Sequence, residues 1–177
     1  GKRLVVMATA GTVTADQGGE IDVSGTSFII PDTSVKKGGP GIARVLASGP
    51  VTAVLSLLNR PPLSVLKNSN LPVDLAKGRV RVAGTLSLPL KEKVPVEEIS
   101  YHYRGHIDGV SSSILVPGHE LSAQRLNLSG TDSGVEIQGD GQLSGVPVRA
   151  AWRMALGKGV PKDSQVEGTV ELSQATV

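Results

Sequence analysis

Between Val80 and Leu88 every second residue is aliphatic or glycine. Val80, Val82, Gly84, Leu86 and Leu88 fall on one set of positions, and Arg79, Arg81, Ala83, Thr85 and Ser87 on the other. A period of two belongs to a half-buried strand, because successive side chains leave opposite faces of the backbone. The alternation recurs in Ile99, Tyr101, Tyr103, Gly105 and Ile107 against Ser100, His102, Arg104, His106 and Asp108. It recurs again in Val148, Ala150, Trp152, Met154 and Leu156 against Arg149 and Arg153, and in Val166, Gly168, Val170 and Leu172. Strands of this kind joined by short turns make an antiparallel meander whose one apolar face demands a partner layer or a greasy ligand.

The chain of 177 residues fits one domain, and 39% apolar content suffices for a core. Rings are scarce: Phe28, Tyr101, Tyr103 and Trp152 are all there are, so Val, Leu, Ile and Ala must fill any interior. The 22 glycines and 11 prolines favour turns, bulges and close strand approaches over long helices. The fold class expected is therefore all-β and mainly antiparallel: a long twisted sheet curved into an open, U-shaped hydrophobic groove, with one or two short helices around residues 50–68.

Short strands are predicted over 2–9, 12–15, 19–23, 26–30 and 42–47, broken at Gly11, Gly18-Gly19, Gly25 and the loop 37–41. The period then changes. Pro50 is placed to open a helix over 50–59 with Val51, Val54, Leu55 and Leu58 on one face, and Arg60-Pro61-Pro62 ends it. A second helical turn is predicted at 62–68. Longer strands follow at 78–89, 97–109, 119–130, 133–139, 141–156 (kinked at 145–147) and 164–173; twelve residues of strand cover roughly 40 Å. The chain so divides into 1–48 (short strands), 49–77 (helical and loop insertion) and 78–177 (long-strand meander), one β-groove segment of a larger protein.

A formal charge of +2 with scattered basic residues and no stacking platform argues against nucleic acid. Without cysteine there is neither a disulfide nor a thiolate metal site. His102 and His106, four apart on a strand, stand about 13 Å from each other and cannot share an ion. His119 with Glu120 reads as a turn feature. Neither Ser129-Gly130 nor Ser144-Gly145 lies in a nucleophile elbow, and Gly139-Asp140-Gly141 lacks the helix of a phosphate loop, so that a turn or bulge explains it. No catalytic residue, metal site or cofactor is expected, and the chain is read as no enzyme.

In order along the chain, ASGPVTAVLSLLNRPPLSVL, GRVRVAGTLSLPL, ISYHYRGHIDGV and LNLSGTDSGVEIQGDGQLSGVPVRAAWRM resemble the AsmA-like family, in particular the central region of its YhdP-type members. The likeness spans most of 26–173 and rests on glycine, proline and aliphatic residues. It implies a repeating β-groove in a protein held in the inner membrane of a Gram-negative bacterium by a segment outside this chain, reaching through the periplasm and passing phospholipid toward the outer membrane. A start at Gly1 directly into strand-like sequence fits a fragment cut from such a protein.

On this reading the lipid groove is lined by Val80, Val82, Leu86, Leu88, Ile99, Tyr101, Tyr103, Ile107, Val148, Trp152 and Met154, and Val51, Leu55 and Leu58 pack the helix onto it. The partners expected are phospholipid or another acyl lipid, neighbouring repeats of the same chain, and outer- or inner-membrane proteins. The alternative is a scaffold that aids outer-membrane protein insertion by strand pairing, as suggested for TamB-like relatives.

Overall fold

The computed structural model describes residues 1–61, 66, 71–155 and 164–170. They form one open, mostly antiparallel sheet of eleven strands. Its strands are β1 (Leu4–Met7), β2 (Thr12–Thr14), β3 (Glu20–Asp22), β4 (Ser27–Ile30), β5 (Pro40–Pro50), β6 (Lys77–Pro89), β7 (Ser100–Ser112), β8 (Leu121–Thr131), β9 (Gly134–Leu143), β10 (Val146–Ala155) and β11 (Ser164–Val170). The order across the sheet is β1-β4-β5-β6-β7-β8-β9-β10-β11, and the β2–β3 hairpin attaches beside β5 through Asp22 and Ser48.

From β5 onward each strand pairs with the next in sequence, which is the meander the alternation predicts. β5 runs eleven residues and pairs with β6 along its whole length, from Pro40 opposite Pro89 to Pro50 opposite Arg79. The expectation of only short strands before residue 48 is corrected accordingly. Gly41, Ala43, Ala47 and Gly49 blur the alternation in the sequence, and the strand draws its order from its β6 partner. The chain then passes into α1 (Val51–Leu58) with Pro50 as its N-cap, the position and residue foreseen. The second helical turn predicted at 62–68 lies, Leu66 apart, outside the described residues.

A further correction concerns 141–156, predicted as one kinked strand. It is the end of β9, a two-residue turn and β10, with Leu143 opposite Val146. Ser144 (φ 50°) and Gly145 (φ 84°) both adopt left-handed backbone, the requirement of the tight hairpin turn that matches strand twist. Gly139-Asp140-Gly141, expected as a turn or bulge, is no turn but lies within β9 where its register with β8 shifts, between Gln138 opposite Asn127 and Gln142 opposite Ser122. Ahead of β7, Val96–Glu98 make a 3-10 turn in place of the predicted extended start.

The two buried clusters are small and gather around the helix at one end of the sheet. Val51 of α1 packs with Ala76, Val80, Ile107, Val110 and Ala123, joined by half-buried Val54, Leu55, Val82, Leu126, Leu128 and Ile137. A second cluster joins Ala53 of α1 to Ala15 and Ile21 of the β2–β3 hairpin, with Val54 and Leu57 around it. Val51 and Leu55 thus pack as predicted, whereas Leu58 is half-buried and belongs to neither cluster. The helix is rolled so that Val54 and Leu57 point to the hairpin. Beyond its last turn Arg60 donates to both carboxylate oxygens of Asp16, Nε to Oδ2 at 3.0 Å and Nη2 to Oδ1 at 2.6 Å.

Candidate functional site

Residues directly opposite in an antiparallel ladder share a face, so the register sorts the two faces of the sheet. One row reads Ala47, Val82, Gly105, Leu128, Ile137 and Trp152 across β5 to β10. The next reads Val45, Gly84, Tyr103, Gly130, Val135 and Met154, and beyond it Ala43, Leu86 and Tyr101. Val80 faces Ile107, Leu88 faces Gly41, and Val148 keeps step with Ala150 and Trp152. Ile99, one residue before β7 and buried, keeps step with Tyr101. All the residues named for the groove therefore fall on one face, spread over β6, β7 and β10.

That face is apolar but unevenly covered. Val80 and Ile107 lie beneath α1 and are 5% and 9% exposed. Val82, Leu86, Leu88, Tyr101, Tyr103, Val148, Trp152 and Met154 are only half-buried. Among the described residues no second layer stacks over them; one side chain shields the next.

At Gly109, with φ 63°, the pleat of β7 changes step: Ile107 and Val110 both join the core beneath α1, and Ser112 is buried after them. The register with β6 slips at the same level, between Lys77 and Arg79. A bulge of this kind swaps inward and outward positions.

Tyr103 holds the middle of the apolar face. Its ring lies over Gly130, where a Cβ would overlap it, and stacks on Tyr101 with centroids 6.2 Å apart and planes 15° from parallel. Burial, reinforced by the neighbouring Tyr101, pushes its phenol up to about 12. An unfolded tyrosine ionises near 10. The stabilisation from the neutral phenol is thus fully present below pH ~10 and is lost as pH climbs toward 12, since the unfolded chain gives up its proton first. Urea midpoints are expected to fall across this window, and to fall less steeply in Tyr103→Phe; equal slopes would show that Tyr103 is solvated.

The opposite face is polar and divides in two. Across β7 to β10 its charges are matched: Arg125 with Asp108 (2.6 Å), Arg149 with Asp140 (2.7 Å) and Arg153 with Glu136 (2.6 Å), each pair directly opposite in the ladder. The hydrogen bond from Arg125 holds the Asp108 carboxyl below the usual carboxylate range. Across β5 to β7 stand Arg44, Arg79, Arg81, Arg104, His102 and His106; among the described residues His106 lies 3.3 Å from Asp108, Arg79 is opposite Asp108 in the ladder, and the charge of Arg81 also reaches that carboxylate. Two open hollows border this face: one of about 1280 Å³ lined by Arg44, Thr85, His102, Arg104, Glu136 and Arg153 together with Met7, Val45, Leu46, Tyr103, Val135 and Met154, and one of about 450 Å³ lined by Ser48, Arg81, Arg104 and His106 together with Leu46, Ala47 and Val82.

His119 Nδ1 lies 3.2 Å from the Ser144 hydroxyl, in keeping with a turn. Among the described residues no group of His, Asp or Glu is gathered for a metal ion, and no helix is long and apolar enough to cross a membrane. The sequence reading missed the polar hollows, because their arginines come from separate strands and only the register brings them together. Compared with known protein families, curated proteins and solved structures, the chain matches none.

Proposed function

We propose that this chain is a non-enzymatic lipid conduit, a stretch of β-groove that shelters phospholipid acyl chains on its apolar face as they pass between inner and outer membrane through the periplasm. The observation that carries the reading is the uncovered aliphatic face itself. Rows of Val, Leu and Ile interrupted by glycine continue from β5 to β10 at half exposure, and among the described residues only α1 is seated on them, at one end. A broad exposed apolar surface marks an interaction site, and a face this wide suits flexible chains lying along it. Each methylene withdrawn from water contributes about 0.8 kcal/mol, so partial cover of two acyl chains lowers the barrier to crossing an aqueous gap. The resemblance to AsmA-like proteins supports the same reading.

Photo-crosslinking in cells tests it. Probes at Val82, Leu86 and Met154 are expected to capture phospholipid, and probes at Arg81, Thr85 and Arg153 on the other face to capture none. Adducts on neither face, with the protein folded and present, would sink the conduit.

One observation favours the strand-pairing scaffold as a second reading. Edge strand β1 exposes Leu4, Val5, Val6 and Met7 at 45%, 50%, 56% and 62%, apolar on both sides, and an open apolar edge is a template for strand addition. A proline at Val5 separates the two readings: it blocks strand addition and leaves lipid capture at Leu86 intact.

A further inference from the structure

We propose that the polar face carries a second site, independent of the lipid reading, at which Arg44, Arg81 and Arg104 bind a phosphate-bearing anion. Arg104 borders both hollows. It stands opposite Ala83 on one side and Ser129 on the other, small residues that leave its guanidinium uncovered. Arg81 is opposite His106 and so is a diagonal neighbour of Arg104, about 7–8 Å away by strand geometry. Arg44 is opposite Thr85, which is opposite His102, and closes the larger hollow from β5.

Charge pairing elsewhere on the same face is the second observation. Arg125, Arg149 and Arg153 each have an acid directly across the ladder. Among the described residues, Arg44 and Arg104 have no ion pair or hydrogen bond, Arg81 has none but lies within electrostatic reach of Asp108, and all three are exposed. The acids that border the hollows are engaged: Glu136 by Arg153, and Asp22 by the Ser24 backbone N–H at 2.9 Å. Like charges on neighbouring strands repel, and an anion seated between them removes that repulsion. Guanidinium groups grip phosphate through paired N–H donors. Arg104 stands between the two hollows, with Arg44 on the larger and Arg81 on the smaller, and a row of this kind suits a ligand with more than one phosphate oxyanion group, supplied by a soluble polyphosphate or by phospholipid headgroups at a membrane surface.

Titration of the full chain with tripolyphosphate, and flotation with vesicles of phosphatidylglycerol in phosphatidylcholine, separate the two sources. Binding to at least one probe is expected, weakening about tenfold in Arg104→Gln and again in Arg44→Gln/Arg81→Gln, and falling with added salt. Arg149→Gln, which removes an equal charge from an ion-paired position, should bind as the unaltered chain does. Tripolyphosphate binding alone assigns a soluble ligand, and vesicle binding alone assigns headgroups. No binding to either probe, or equal weakening in Arg149→Gln and Arg104→Gln, overturns the site. The substituted side chains are exposed, and circular dichroism checks that each variant folds. The lipid reading fails separately, on the absence of adducts at Leu86 and Met154.

Discussion

Gly105→Ala is expected to destabilise the protein by about 3 kcal/mol or more, near the upper end for single substitutions. Gly105 lies in the middle of β7 opposite Val82 of β6 and Leu128 of β8. A Cβ at this position would overlap the carbonyl oxygen of Arg81 and come within 2.8 Å of the Val82 Cα. Both are backbone atoms of the paired strand, so no rotamer change relieves the overlap; β6 and β7 must move apart at the centre of the sheet. The row Ala47, Val82, Gly105, Leu128, Ile137 depends on that close approach for its continuity beside α1.

Gly109→Ala on the same strand supplies the contrast. Gly109 has φ 63° and nothing within 4 Å of a Cβ, so its substitution incurs only the left-handed backbone penalty of about 1–2 kcal/mol. Urea unfolding of both variants checks the pair. Equal midpoints would mean that the approach of β6 to β7 is not what holds the sheet at Gly105.

The fold was legible where side-chain chemistry alternates strongly. β6 reads Arg79, Val80, Arg81, Val82 and β7 reads Tyr101, His102, Tyr103, Arg104, and both took the predicted faces because a one-residue slip would turn charged groups onto the apolar side. β5 was less legible: alanine and glycine occupy its apolar positions, and its length is set by pairing with β6. The hairpin turn at Ser144-Gly145 was read as a kink at 145–147 because such a turn is specified by positive φ at both residues, and serine is an uncommon choice for the first. The reversal at Gly109 leaves no mark in residue type alone.

The apolar set was readable for the same reason that β6 was, since every member belongs to an alternating run. The cationic set was not. Arg44, Arg81 and Arg104 are scattered along the chain, and only the pairing of β5 with β6 and β6 with β7 gathers them. Leu58 shows a third kind of miss: a helical wheel fixes which residues share a stripe, but the β2–β3 hairpin, through Ile21, decided how far α1 rolled.

Leu86→Asp should abolish capture of phospholipid, to less than a tenth of the unaltered chain, while the protein stays folded. Leu86 is half-buried on the apolar face opposite Ala43 and Tyr101, and it lies outside both buried clusters. A carboxylate there has water available in the empty protein, so the fold tolerates it. With acyl chains laid over the face, the same carboxylate loses its water and gains no partner, and burying an unpaired charge costs several kcal/mol. The penalty therefore falls on the lipid-bound state, which is what separates a conduit from a core. Ser87→Asp, one residue on and on the polar face opposite Ile42 and Ser100, adds the same charge without touching the chains and should leave capture unchanged. Lipid recovered with the purified variants, quantified by mass spectrometry and compared with their unfolding midpoints, checks both. Undiminished lipid on a folded Leu86→Asp protein would mean that acyl chains do not lie on this face, and the aliphatic rows would then serve β1-edge assembly or the packing of a neighbouring layer.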